Sequence, residues 1–232
     1  MIPLRDDNPS RINPLVTISL IVVCAIVFLW QLSLGGRGDQ QVTYSLGLIP
    51  SVLFGIHHLS PDLVMVPPAA TIFTSMFLHG GWMHIIGNMW YLWIFGDNVE
   101  DRLGHGRFII FYLLAGAVAA LGQIAVDPTS TLPTIGASGA IAGVMGGYFV
   151  LYPRSRVLTA VTLIIFWEII EVPAIVLLGF WFLMQLFSAG SIAVTASTGG
   201  GGVAFAAHVV GFVFGMGAVF LFRKRATRPW EN

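Results

Sequence analysis

Charge is what this chain has least of. Only 9% of its 232 residues are charged while 56% are apolar, whereas an ordinary soluble domain carries about 25% charge. That imbalance argues against a water-soluble globule, since the polar surface to cover one is missing. The few charges also cancel, 11 basic against 11 acidic, so no net field draws the chain to nucleic acid or another polyanion. Cysteine is nearly absent. Cys24 stands alone, so an internal disulfide is excluded, and within the run Ile21 to Phe28 it reads as a small buried side chain. No H-E-x-x-H occurs, and the intramembrane histidines have no carboxylate or thiolate beside them, so neither a metal nor another cofactor is expected.

What the chain does have is long apolar runs, and a span of a hydrocarbon core about 30 Å thick needs roughly 20 such residues. Six candidates emerge: Pro14 to Leu34, Gly81 to Phe95, Phe108 to Val126, Ser138 to Tyr152, Pro173 to Phe187 and Val203 to Phe222. They lack period-two alternation, so an all-α membrane protein, a six-helix bundle, is predicted. Alternating spans would put ten of the 11 basic residues on one side, all but Arg37. That bias assigns both termini to the cytoplasm. The domain division is then a cytoplasmic segment at 1–13, a helical domain at 14–222 and a basic tail at 223–232. A short amino terminus without a transit peptide favours a bacterial cytoplasmic membrane. The outer loop Gly35 to His79 carries apolar patches and is expected on or partly in the outer leaflet, and Gly199 to Gly202 are expected to form a flexible cover. No internal repeat is visible, which disfavours a transporter of paired halves.

Polar groups inside a bilayer are costly and are functional candidates by default. Within the spans they are His84, Asn88, Gln123, Ser138, Gln185 and His208. At about 1.5 Å per residue, Ser138 and His208 both lie roughly 22 to 24 Å above the cytoplasmic boundary, His84 lies about 20 Å above it, and Asn88 follows one turn lower on the same face. Either Ser138 or His208 alone reads as well as a hydrogen-bonded core group. Their common level is what pairs them. A serine hydroxyl becomes a nucleophile when a histidine takes its proton, and with no carboxylate in the outer half of any span, a dyad is expected in place of a triad. His84 and Asn88 supply donors for a developing oxyanion, joined by the backbone N–H of Ser138 at a helix start. Gly136, Gly139, Ala142, Gly211 and Gly215 are the small residues that permit close helix packing around the pair. Glu168 and Glu171 are expected at the cytoplasmic interface, His57, His58 and His105 in solvated loops, and His79 in a structural outer layer.

With those residues in place, the chain resembles the rhomboid intramembrane serine proteases over nearly its whole length. Gly136-Ala137-Ser138-Gly139 is similar to the family's G-x-S-G, His208 with Gly211 and Gly215 to its H-x-x-G-x-x-x-G, and His84 with Asn88 to its H-x-x-x-N, with His79 matching a further upstream histidine. The resemblance implies a rhomboid-like catalytic domain with Ser138 as nucleophile, His208 as base, and His84 and Asn88 as oxyanion donors. It also implies cleavage of single-pass transmembrane substrates in or next to their membrane segment, from a site opening to the outer face, with a gate in which Trp181 and Phe182 are candidate packing residues. The alternative is an inactive rhomboid-like module that binds transmembrane helices without cutting them. Two positions depart from the pattern. Many relatives stack an aromatic residue on the histidine from the position of Ala142, and many carry a Trp-Arg pair that residues 70–77 lack. The orientation of His208 must therefore come from other groups.

Overall fold

The computed structural model describes residues 1–163, 166–195 and 204–223. Its long helices are α1 (Leu15–Ser33), α5 (Trp82–Leu103), α6 (His105–Val126), α7 (Ser138–Leu151), α8 (Ala174–Thr195) and α9 (Phe205–Phe222). Shorter helices α2 (Gly35–Leu46), α3 (Pro50–Leu53) and α4 (Thr71–Thr74) fill the long connection between α1 and α5. Among the described residues, α1, α6 and α9 are long and apolar enough to cross a membrane, and α5 joins them if the segment from Pro61 is counted with it. That segment, Pro61–Phe77, is bent from α5 by 80°. The chain is thus a helical membrane bundle.

The shortness of α7 follows from its place. Every residue from Gly139 to Tyr148 is buried, as expected of a helix apolar on all sides and enclosed by others. Its neighbours are α5, α6, α8 and α9. Small residues bring their axes close. A methyl group at Gly211 would lie 2.3 Å from the Gly139 carbonyl oxygen, and one at Gly215 would lie 1.9 Å from that of Gly143. Gly139 and Gly143 face α6 as well, where a methyl group would meet Ala119 at 2.7 Å and Ala115 at 2.4 Å.

The all-α expectation needs correction. Residues Ile2–Asp6 form β1, Arg156–Leu163 form β2 and Phe166–Pro173 form β3, an antiparallel sheet in the order β1-β2-β3. The hairpin follows from composition: Val157, Thr159, Val161, Ile169, Ile170 and Val172 are β-branched, a bias that periodicity alone does not separate from a buried helix. Val157, Thr159 and Val172 point inward and are buried. Segment 1–13 is tied to the bundle by its side chains and backbone. Asp6 accepts hydrogen bonds from the Tyr148 hydroxyl at 2.6 Å and from Asn98 Nδ2 at 3.1 Å, while Trp90 donates its indole N–H to the Pro3 carbonyl at 2.6 Å. Glu168 and Glu171 lie exposed on β3, and Glu171 pairs with Arg156 at 3.3 Å.

One buried carboxylate fixes the start of α1. No side chain of α1 caps its own first turn. Glu100 of α5, fully buried, instead accepts from the N–H groups of Val16 and Thr17 at 2.9 and 2.8 Å and from the Thr17 hydroxyl at 2.7 Å. Helix-start amides with no internal partner need such an acceptor. His105, read from sequence as a solvated loop residue, contacts the same carboxylate through Nδ1 at 2.5 Å. The glycine run Gly199 to Gly202 and the basic tail from Lys224 onward lie outside the described residues.

Candidate active site

Ser138 is the first residue of α7, and His208 lies in the first turn of α9. The two helices make the most extensive contact in the bundle. Because Gly139 and Gly143 carbonyls meet Gly211 and Gly215 directly, the axes come near enough for His208 Nε2 to sit 2.8 Å from Ser138 Oγ. Gly139 thus stands opposite Gly211, and Gly143 opposite Gly215. A main-chain carbonyl needs no side chain to fill the contact, so the close approach occurs at Gly139 and Gly143.

His84 and Asn88 stand on one face of α5 and point toward the strand-like segment before Ser138. A methyl group at Gly136 would lie 2.6 Å from His84 Nε2 and 3.7 Å from Asn88 Nδ2. Gly136 has φ +122, a region that residues with a Cβ rarely enter. Its role is thus not helix packing; it leaves the space into which two side chains project, while its own N–H is held by the Ser75 carbonyl at 2.9 Å. The Gly80 N–H donates to His84 Nδ1 at 3.3 Å, so Nε2 carries the ring proton and faces Gly136 as a donor. Asn88 Nδ2 is buried without a partner. An orphaned amide donor is expensive in a native interior unless it serves a ligand or a transient charge. The Ser138 N–H, at a helix start, likewise has no intrahelical acceptor.

The surrounding shell is polar where it must hold the site. Gln123 of α6 accepts from the Ala207 N–H at 3.4 Å and fastens the start of α9. Gln31 of α1 accepts from the His79 N–H at 3.0 Å and fixes the turn into α5. The His79 ring is buried and meets the His84 ring edge-on at 5.1 Å. The outer connection is tied to the segment before Ser138 by paired backbone bonds between Leu48 and Thr134 at 3.0 and 2.8 Å. Gln31 and Glu100 belong to no motif in the sequence, although a glutamine inside the first apolar run is a visible signal for the former. Ala142, fully buried in α7, leaves the flank of the His208 ring to other residues. Trp181 lies tilted against it with centroids 5.9 Å apart, and Phe205 meets it edge-on at 6.2 Å. Among the described residues no group of histidine, cysteine or carboxylate side chains is arranged to hold a metal.

The chain is thus a helical membrane bundle in which a serine and a histidine are hydrogen-bonded beside a buried amide donor that lacks an acceptor. Comparison with known families is specific. Residues 68–225 match the model of the Rhomboid domain. The chain belongs to the rhomboid family. It is 39% identical over 75 residues to "Rhomboid protease GluP" of Bacillus subtilis, covering 32% of this chain and 14% of that protein. It is 32% identical over 92 residues to "Rhomboid protein 1, mitochondrial" of Saccharomyces cerevisiae, 38% of this chain and 27% of the relative. A longer match, 27% identical over 161 residues, covers 69% of this chain and 46% of "RHOMBOID-like protein 6, mitochondrial" of Arabidopsis thaliana. The matches thus cover less than half the length of each of these relatives. The apolar helices support an integral membrane protein, and since two of these three relatives carry mitochondrial names, the bacterial compartment expected from the sequence is not supported.

Proposed function

We propose that this protein is an intramembrane serine endopeptidase that cleaves single-pass membrane proteins in or next to their transmembrane segment, with Ser138 and His208 as its dyad. The observation that carries the reading is the 2.8 Å contact between His208 Nε2 and Ser138 Oγ, a general-base distance. His208 takes the hydroxyl proton as Oγ attacks the scissile carbonyl. Charge then develops on the carbonyl oxygen beside Gly136, where His84 Nε2–H, Asn88 Nδ2–H and the Ser138 N–H donate to it. His208 returns the proton to the leaving amine, and water later releases the acyl group by the same route. Residues 14–222 form the catalytic unit, with six spans and both termini in the cytoplasm, a topology supported by the placement of ten of its 11 Lys and Arg residues. The paired side chains then lie in the outer half of the bilayer, and the site opens outward.

A fluorophosphonate probe tests the chemistry without any knowledge of the natural substrate. Wild-type protein should be labelled on the peptide containing Ser138, and His208→Ala should not be labelled. Absence of labelling in folded wild type would favour a rhomboid-like module that binds transmembrane helices without cutting them.

A further inference from the structure

The imidazole of His208 has two nitrogens, and only one faces Ser138. Its far side points to α8, where Gln185 Oε1 lies 2.7 Å from Nδ1. A neutral imidazole carries its proton on one nitrogen. With that proton on Nδ1 and donated to the glutamine oxygen, Nε2 presents a lone pair to the serine hydroxyl. With the proton on Nε2 instead, the ring could not accept the serine proton. Trp181 lies four residues before Gln185, hence on the same face of α8, and it is the ring tilted by 36° against His208. One helix therefore supplies both a hydrogen-bond acceptor and an aromatic wall to this imidazole. Trp181 is also packed on Phe212 at 6.0 Å, and Phe182 stacks on Phe212 at 4.8 Å, which locks that face of α8 to α9. No carboxylate is required for this arrangement.

We infer that Gln185 is the positioning residue of the site: its amide oxygen, held on the face of α8 that Trp181 packs against the imidazole, fixes His208 in the Nδ1–H tautomer. Together they take over the orientation that Ala142 cannot provide from α7. The inference rests on the proposed Ser138–His208 chemistry for its kinetic consequence but not for its structural one. A neutral acceptor gives the imidazolium less support than a carboxylate would, so the expected contribution is smaller than the loss seen when a triad carboxylate is replaced.

The test uses the full chain in detergent or bilayer nanodiscs, with Gln185→Leu and Gln185→Glu beside wild type. Nitrogen-15 spectra of imidazole-labelled protein, with His208→Ala to assign the resonance, should show Nδ1–H at His208 in wild type and a tautomer mixture in Gln185→Leu. On a single-span peptide substrate, Gln185→Leu should lower kcat on the order of 10- to 100-fold with KM unchanged, as for lost supports of other reacting groups. Gln185→Glu, which keeps an acceptor at the same reach, should recover most of that loss. An Nε2–H tautomer in wild type, or wild-type kcat in Gln185→Leu, would overturn the inference. Wild type that neither reacts with fluorophosphonate nor cleaves would instead sink the proposed function, and the tautomer measurement would still decide the role of Gln185.

Discussion

A histidine accepts a serine proton only through the nitrogen that faces it, and a serine held alone in an apolar bundle is a poor nucleophile. Ser138 and His208 are therefore expected to act as one unit. Replacing either with Ala should remove nearly all peptide cleavage, and the double replacement should be little worse, since groups that act together do not lose rate additively. Steady-state turnover of the three variants checks this, and multiplicative losses would contradict a dyad. His84→Ala and Asn88→Ala each delete a donor that faces the space beside Gly136. Turnover should fall roughly 10- to 1000-fold with little change in KM, the range for a lost oxyanion donor. These four residues were legible in the sequence because bilayer cost makes every polar side chain in a span conspicuous, and helical rise converts position into depth. The role of Gln185 was not, because it depends on the rotation of α8 about its axis.

Helices rank by how closely their backbones approach, and α7 and α9 are the tightest case. The 1.9 Å and 2.3 Å distances at Gly215 and Gly211 run to main-chain oxygens, which cannot turn aside as a side chain can. Gly211→Val should push α9 outward and abolish fluorophosphonate labelling while membrane insertion and helical content persist. Full labelling of that variant would show that contact at Gly211 is not what sets the serine–histidine distance. The start of α1 depends on Glu100 in a different way. Glu100→Ala strands two amides and a hydroxyl, a loss of about 2 to 4 kcal/mol, visible as a drop in thermal midpoint on the order of 5 to 10 °C in detergent. The six long helices could be read from hydropathy, four of them nearly to their ends, whereas α5 and α8 each run eight residues past the expected Phe95 and Phe187. Their register could not, since a small-residue stripe fits a neighbour at several heights, and the contact fell on carbonyls that the sequence does not distinguish. Glu100 is not distinguished in the sequence because it lies among the charged residues at the end of α5, where an acidic side chain is ordinary.

Across the whole molecule, β1 joins the chain's first residues to α5 and α7 through Asp6, Asn98 and Tyr148. Burial, with the nearby charges of Asp97 and Asp7 adding to it, pushes the Asp6 carboxyl up to about 6, against the hydrogen bond from Tyr148. The folded state thus holds this proton more firmly than the unfolded chain. Its contribution to stability is fully present below the ordinary value of 3.8 and is lost as pH rises through about 6. The thermal midpoint of wild type relative to Asp6→Asn should therefore fall between pH 5 and pH 7, and a constant difference would show that Asp6 is not the titrating group. This sheet was the part of the fold least visible in the sequence. Val157 to Ile170 is as apolar as a span, and β1 gains its partners from residues far along the chain.

As a peptidase, this bundle would use a serine hydroxyl to attack a peptide bond of a membrane-anchored protein. The most direct measurement of that reaction is incubation of the purified full chain with a single-span substrate in bilayers, followed by mass spectrometry of both product termini, wild type beside Ser138→Ala. Wild type should make one cut in or next to the transmembrane segment, and Ser138→Ala should leave the substrate intact. The same cut produced by both proteins at equal rate would contradict attack by Ser138.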